Sequence, residues 1–144
     1  MSSQQSSLLF QVVTPGVSRR GLRAFVKRLE TEVAGGRAFC CLIAGDAELR
    51  RLNREFRKRD YATDVLSFPS DKDGEIAISY AAARRQSAEF GHDVNQELEI
   101  LMLHGLLHLL GMDHETDGGR MLSAERKWRT KLGLPAGLIE RMSA

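Results

Sequence analysis

Apolar residues in the first half of the chain come in short runs, and in the second half they recur at helical spacing. Leu8 to Val13 reads as a first strand, ended by Thr14-Pro15-Gly16. Ser18 is placed to cap a helix reaching about Val33, with Leu22, Phe25, Val26 and Leu29 on one face and Gly35-Gly36 closing it. Phe39 to Ala44 predicts a second, buried strand. Asp46 is the expected cap of a second helix that turns Leu49, Leu52 and Phe56 inward and carries Arg50, Arg54 and Arg57 as a stripe on another face. Val65 to Phe68 and Glu75 to Ser79 read as strands joined through a turn at Ser70-Asp71-Lys72-Asp73-Gly74. Helices are expected from Tyr80 to about Phe90, Asn95 to Leu110 and Arg120 to Lys131. Strands mixed with helices, then helices alone, with no repeat or linker over residues 1–144, predict a single α+β domain: a small mixed sheet packed on helices.

Composition narrows the class without naming a function. A charged fraction of 28% and three prolines in 144 residues argue against disorder and low complexity. The longest apolar stretch, Ile100 to Met112, is broken by His104 and His108 and is too short to cross a bilayer. The first seven residues carry no Lys or Arg before Leu8-Leu9-Phe10, so no secretory signal is expected and a cytoplasmic location is. Cys40 and Cys41 are neighbours in an apolar run and read as buried thiols rather than a disulfide. The net charge of +2 conceals two basic clusters. Residues 50–60 hold six cations against Glu55 and Asp60, and residues 120–131 hold five against Glu125, an excess of +4 in each. Such patches suit local contact with a polyanion, or are simply solvated helix faces.

The candidate chemistry lies between His104 and His114. His104 and His108, four residues apart, share one helix face with their rings about 6 Å apart. Leu98, Leu101, Leu103, Leu106, Leu107 and Leu110 make that helix apolar nearly all round, so it should be central, and buried imidazoles need partners. Gly111 can end the helix in a left-handed conformation and let His114 fold back toward the other two. Three imidazoles without a fourth protein ligand fit a catalytic metal site. His92, after Gly91, reads as a solvated loop residue. The spacing matches the metzincin pattern H-E-x-x-H-x-x-G-x-x-H except that Gly105 stands where those proteases have their general base, which disfavours a peptidase.

His104-Gly105-Leu106-Leu107-His108-Leu109-Leu110-Gly111-Met112-Asp113-His114 resembles the H-G-x-L-H-L-x-G-y-D-H signature of the YbeY family of bacterial endoribonucleases, with Met112 in place of the usual aromatic. Leu52-Asn53-Arg54-Glu55-Phe56-Arg57 and Thr63-Asp64-Val65-Leu66-Ser67-Phe68-Pro69 resemble its second block. Gly74-Glu75-Ile76-Ala77-Ile78-Ser79 is similar to its G-D-I-x-I-s strand, with Glu for Asp. The resemblance covers roughly residues 40 to 132.

It implies a zinc-dependent, single-strand-selective endoribonuclease acting at the 3′ end of 16S ribosomal RNA and in ribosome quality control, with the small ribosomal subunit as partner. It implies His104, His108 and His114 as ligands of one Zn²⁺ per chain, and Arg57 as the arginine at the cleavage site. On charge pattern alone Arg57 reads as a surface ion pair with Asp60 or Glu55. Arg50, Arg54, Lys58 and Arg59 are candidates for flanking phosphates. Asp64 and Asp113 are candidates to orient ligand imidazoles, against plainer readings as a strand-start cap and a turn residue. Two other functions compete: a zinc hydrolase of another class, and a non-enzymatic ribosome-assembly factor with structural zinc. The sequence does not fix the oligomeric state.

Overall fold

The structure, a computed structural model, describes residues 5–69 and 73–143. The elements run β1 (Ser7–Phe10), α1 (Arg19–Arg28) continued by a π-helical turn (Leu29–Val33), β2 (Phe39–Ala44), α2 (Asp46–Arg57), β3 (Val65–Pro69), β4 (Gly74–Ser79), α3 (Tyr80–Phe90), α4 (Val94–Leu109), α5 (Arg120–Leu132) and α6 (Leu138–Ser143). The sheet order is β1-β2-β4-β3; β1, β2 and β4 are parallel and β3 is antiparallel to β4. This is the mixed sheet on helices that the sequence pattern predicts.

Period-two alternation gives the sheet two buried faces. Leu8, Cys41, Ile43, Ile76 and Ile78 face the main core, built with α1 and α4; Ala44, Leu66 and Ala77 face Leu49 and Leu52 of α2. Cys40 and Cys41 are free thiols, and burial pushes Cys41 well above the usual thiol range. α4 is buried along most of its length, as an all-round apolar helix must be. Among the described residues no helix is long and apolar enough to cross a membrane.

Several details differ from the sequence pattern. β1 stops at Phe10, paired with Ile43 one residue short of the end of β2, and Val13 is exposed. The cap of α2 is Gly45, with no side-chain capping bond. Asp46 instead accepts a hydrogen bond from Ser79 Oγ at 2.6 Å and one from Arg85, tying α2 to the start of α3. Phe56 is half exposed and stacks on Phe68 with ring centroids 4.7 Å apart. His92 is not solvated: its Nε2 lies 2.5 Å from Oε1 of the buried Glu97, which also receives Arg141 from α6. The short α6 has no counterpart in the sequence pattern. The predicted turn between β3 and β4 falls partly at residues 70–72, outside the described residues, although the antiparallel pairing it implies is present.

Candidate metal centre

α4 starts with a capping box, Asp93 accepting from the Gln96 N–H and Gln96 reaching back, and carries His104 and His108 near its other end. Gly111, at φ +96°, reverses the chain, with Gly111 N donating to His108 O and Met112 N to Leu107 O. A turn closed by Thr116 N and Asp117 N on Asp113 O then presents His114. The ring centroids lie 4.9 Å apart for His104–His108 and 6.0 Å for each pair with His114. One nitrogen of each ring lies within 4.8 Å of the others, so the three could hold a metal ion.

Hydrogen bonds fix the tautomers. His104 Nδ1 donates to Glu125 Oε2 at 3.0 Å, and His108 Nδ1 donates to the Met112 carbonyl at 2.9 Å. Both acceptors demand a proton on Nδ1, which leaves the Nε2 lone pair for an ion. Burial, reinforced by the neighbouring His104, holds the His108 imidazole below its ordinary value, favouring the neutral form a metal needs. His114 Nδ1 is buried without a hydrogen-bond partner among the described residues, which fits a site completed by a bound group. The donor set is all imidazole and open on one side, so it suits a catalytic transition metal.

Asp64 and Asp113 make their hydrogen bonds to groups other than the histidine rings. Asp113 Oδ1 accepts from Glu115 N in the turn, and Asp64 accepts from Val65 N and Gln86 Nε2. The carboxylate that meets a histidine ring is that of Glu125, on His104 Nδ1. Glu125 is 1% exposed and also accepts the Ile139 N–H, so one carboxylate joins α4, α5 and the start of α6. Its signal was present in the sequence as a lone acid on the buried stripe Met121–Glu125–Leu132 of α5.

A cleft of about 710 Å³ runs along the three histidines, walled by β3 and the end of α2. Arg57, Arg59, Tyr61 and Asp64 line it. Asn53, 2% exposed, shapes this wall: its side chain donates to Tyr61 O at 2.9 Å and its carbonyl receives Lys58 N and Arg59 N. Lys58 takes the left-handed conformation at φ 58° to turn the chain, and is not among the cleft-lining residues. Arg50 and Arg54 both reach Asp60, and Arg51 pairs with Glu48 and Glu55. Those pairs consume the partners expected for Arg57, which makes no ion pair among the described residues. Two of the four flanking-phosphate candidates, Arg50 and Arg54, thus share the single carboxylate of Asp60, and Arg59 alone of the four lines the cleft.

Fold and cleft together define a small α+β domain with three histidines that could hold a metal ion, beside a wall that carries Arg57 and Arg59. The family model described as Endoribonuclease YbeY matches residues 18–133, and the chain belongs to that family. A protein named Endoribonuclease YbeY from Solibacter usitatus is 58% identical over 99% of both chains. One of the same name from Koribacter versatilis is 48% identical over 88% of this chain and 85% of that protein. The solution structure of TM1509 from Thermotoga maritima superposes with a TM-score of 0.58 at 27% identity, covering 87% of this chain and 93% of the other.

Proposed function

We propose that this chain is a zinc-dependent endoribonuclease that cuts single-stranded RNA and acts in the cytoplasm on the 3′ end of 16S ribosomal RNA, in maturation and quality control of the small ribosomal subunit. The observation that carries this is the placement of Arg57, without an ion-pair partner among the described residues, on the wall of the cleft that holds His104, His108 and His114. The names of its relatives support RNA as the substrate.

His104, His108 and His114 hold the ion, which when bound supplies Lewis acidity toward a phosphoryl oxygen. Arg57 pairs through its planar fork with the scissile phosphate and steadies the charge that grows on it during cleavage. Arg59 holds an adjacent phosphate. Tyr61, half exposed beside it, offers a face for an unpaired base, which accounts for single-strand selectivity. Gly105 leaves no carboxylate at the protease base position. A Cβ there would meet Ile76 Cγ2 at 2.8 Å and Ser67 Oγ at 3.1 Å, because the helix backbone packs directly on the sheet.

The test compares one labelled RNA, carrying the small-subunit 3′ end, as a single strand and annealed to its complement. The reading expects cleavage of the first and not of the second. Equal cleavage of both contradicts the selectivity. Intact RNA in both, with firm binding to the small subunit, favours the assembly-factor reading.

A further inference from the structure

A third basic cluster lies outside the cleft. α1 carries Arg19, Arg20, Arg23, Lys27 and Arg28 with no acid between them. At 100° per residue the first four fall within an arc of about 100°, beside the buried arc of Leu22, Phe25 and Val26. Arg28 pairs with Glu32, and its Nη2 also reaches Lys131 O on α5 at 3.4 Å, so the two helices adjoin. α5 presents Lys127 and Lys131, four residues apart, on roughly the opposite side from Glu125. Among the described residues Arg19, Arg20, Arg23, Lys27, Lys127 and Lys131 pair with no carboxylate, whereas the arginines of α2 other than Arg57 are paired.

Aromatic rings interleave these charges. Arg19 lies 4.1 Å and Arg23 5.7 Å from the centroid of Phe10. Lys127 and Lys131 lie 5.0 and 5.2 Å from Trp128. A ring beneath a cation restricts its rotamers while leaving its charge unneutralised, so less entropy remains to be lost on meeting a phosphate. None of these six cations is among the residues that line the cleft. α1 packs on β1, three strand spacings or about 14 Å across the sheet from β3, which walls the cleft.

We propose that this α1–α5 face is a second RNA-binding surface, which engages phosphates of single-stranded RNA outside the cleft while the cleft holds the scissile bond. The inference rests on the reading of the chain as an endoribonuclease. It makes long RNA a better substrate than short RNA through binding alone, by the effective-concentration argument that governs two linked sites.

The test is the triple variant Arg23→Gln, Lys27→Gln, Lys127→Gln, all at exposed positions. Each lost phosphate contact lowers the salt slope of single-strand binding by about 0.7, so affinity for RNA of about thirty nucleotides should fall about a hundred-fold at 0.1 M salt and little at 1 M. Cleavage of a dinucleotide, whose single phosphate sits at the cut and cannot also reach the second surface, should keep its kcat/KM. Unchanged affinity and salt slope for the long RNA would overturn the proposal, as would an equal loss on the short one. Wild-type protein that neither binds nor cuts either RNA would instead sink the endoribonuclease reading.

Discussion

The two helix histidines are distinguished from ordinary core histidines by what holds their Nδ1 atoms. A carboxylate and a backbone carbonyl are both pure acceptors, so each ring keeps one tautomer and turns the same nitrogen toward its neighbours. Glu125→Gln keeps the shape and one acceptor oxygen but removes the charge behind His104. We expect zinc affinity to fall about 10–100-fold, read by titration against a competing chelator, with the helices intact by circular dichroism. Unchanged affinity would leave Glu125 with only its second task, receiving Ile139 N. Arg57 is distinguished by the opposite feature, the absence of an ion-pair partner among the described residues while Arg50, Arg51 and Arg54 all have them. Arg57→Ala should retain full zinc content, measured by metal analysis, and lose about 10²–10³-fold in cleavage rate. Loss of metal in that variant would show a structural arginine.

At the scale of elements, α4 joins core and site, and its register is pinned by how closely it approaches the sheet. Ser67 Oγ donates to Gly105 O at 2.7 Å, and no side chain fits between. Gly105→Ala should therefore destabilise the fold by about 1–3 kcal/mol in denaturant titrations despite the higher helix propensity of Ala. Gly105→Glu, which would recreate the protease spacing, should fail to fold rather than gain peptidase activity. Earlier on α4, Glu99 has its carboxyl pushed up to about 7, by burial first and then by the nearby Asp93. Its folded value lies above its ordinary 4.5, so the carboxylate penalty is absent below pH 4.5, grows as pH rises to 7 and is complete above. Glu99→Gln should accordingly raise the melting temperature at pH 8 and leave it unchanged at pH 4; a stabilisation equal at both would refute the assignment. The long elements were legible because each follows one period over several turns. α3 matches its predicted range, and α4 and α5 match within a residue at each end. β1 is shorter than its apolar run because strand length depends on the partner, and α6 is not legible because six residues hold too little periodicity. Its anchors, Glu97 and Glu125, are distant in sequence.

At the scale of the whole molecule the same division holds. His104, His108 and His114 lie on one short segment, where spacing and a helix stop declare them. The groups that orient and surround them come from α5, from the wall set by Asn53 and from β3, and no local pattern announces such long-range meetings. Charge clusters were legible as clusters. Which cations stay unpaired was not, since Asp60 and Glu140 pair with Arg50, Arg54, Arg126 and Arg129 only in the fold. The central claim is that the three histidines hold a metal on which RNA cleavage depends. Its most direct measurement follows cleavage of a labelled single-stranded RNA by purified protein, after chelation and after zinc is restored, with His108→Ala alongside. The account predicts cleavage that disappears with the chelator, returns with zinc and is missing from the variant. Cleavage that persists through chelation and in a folded His108→Ala protein would contradict it.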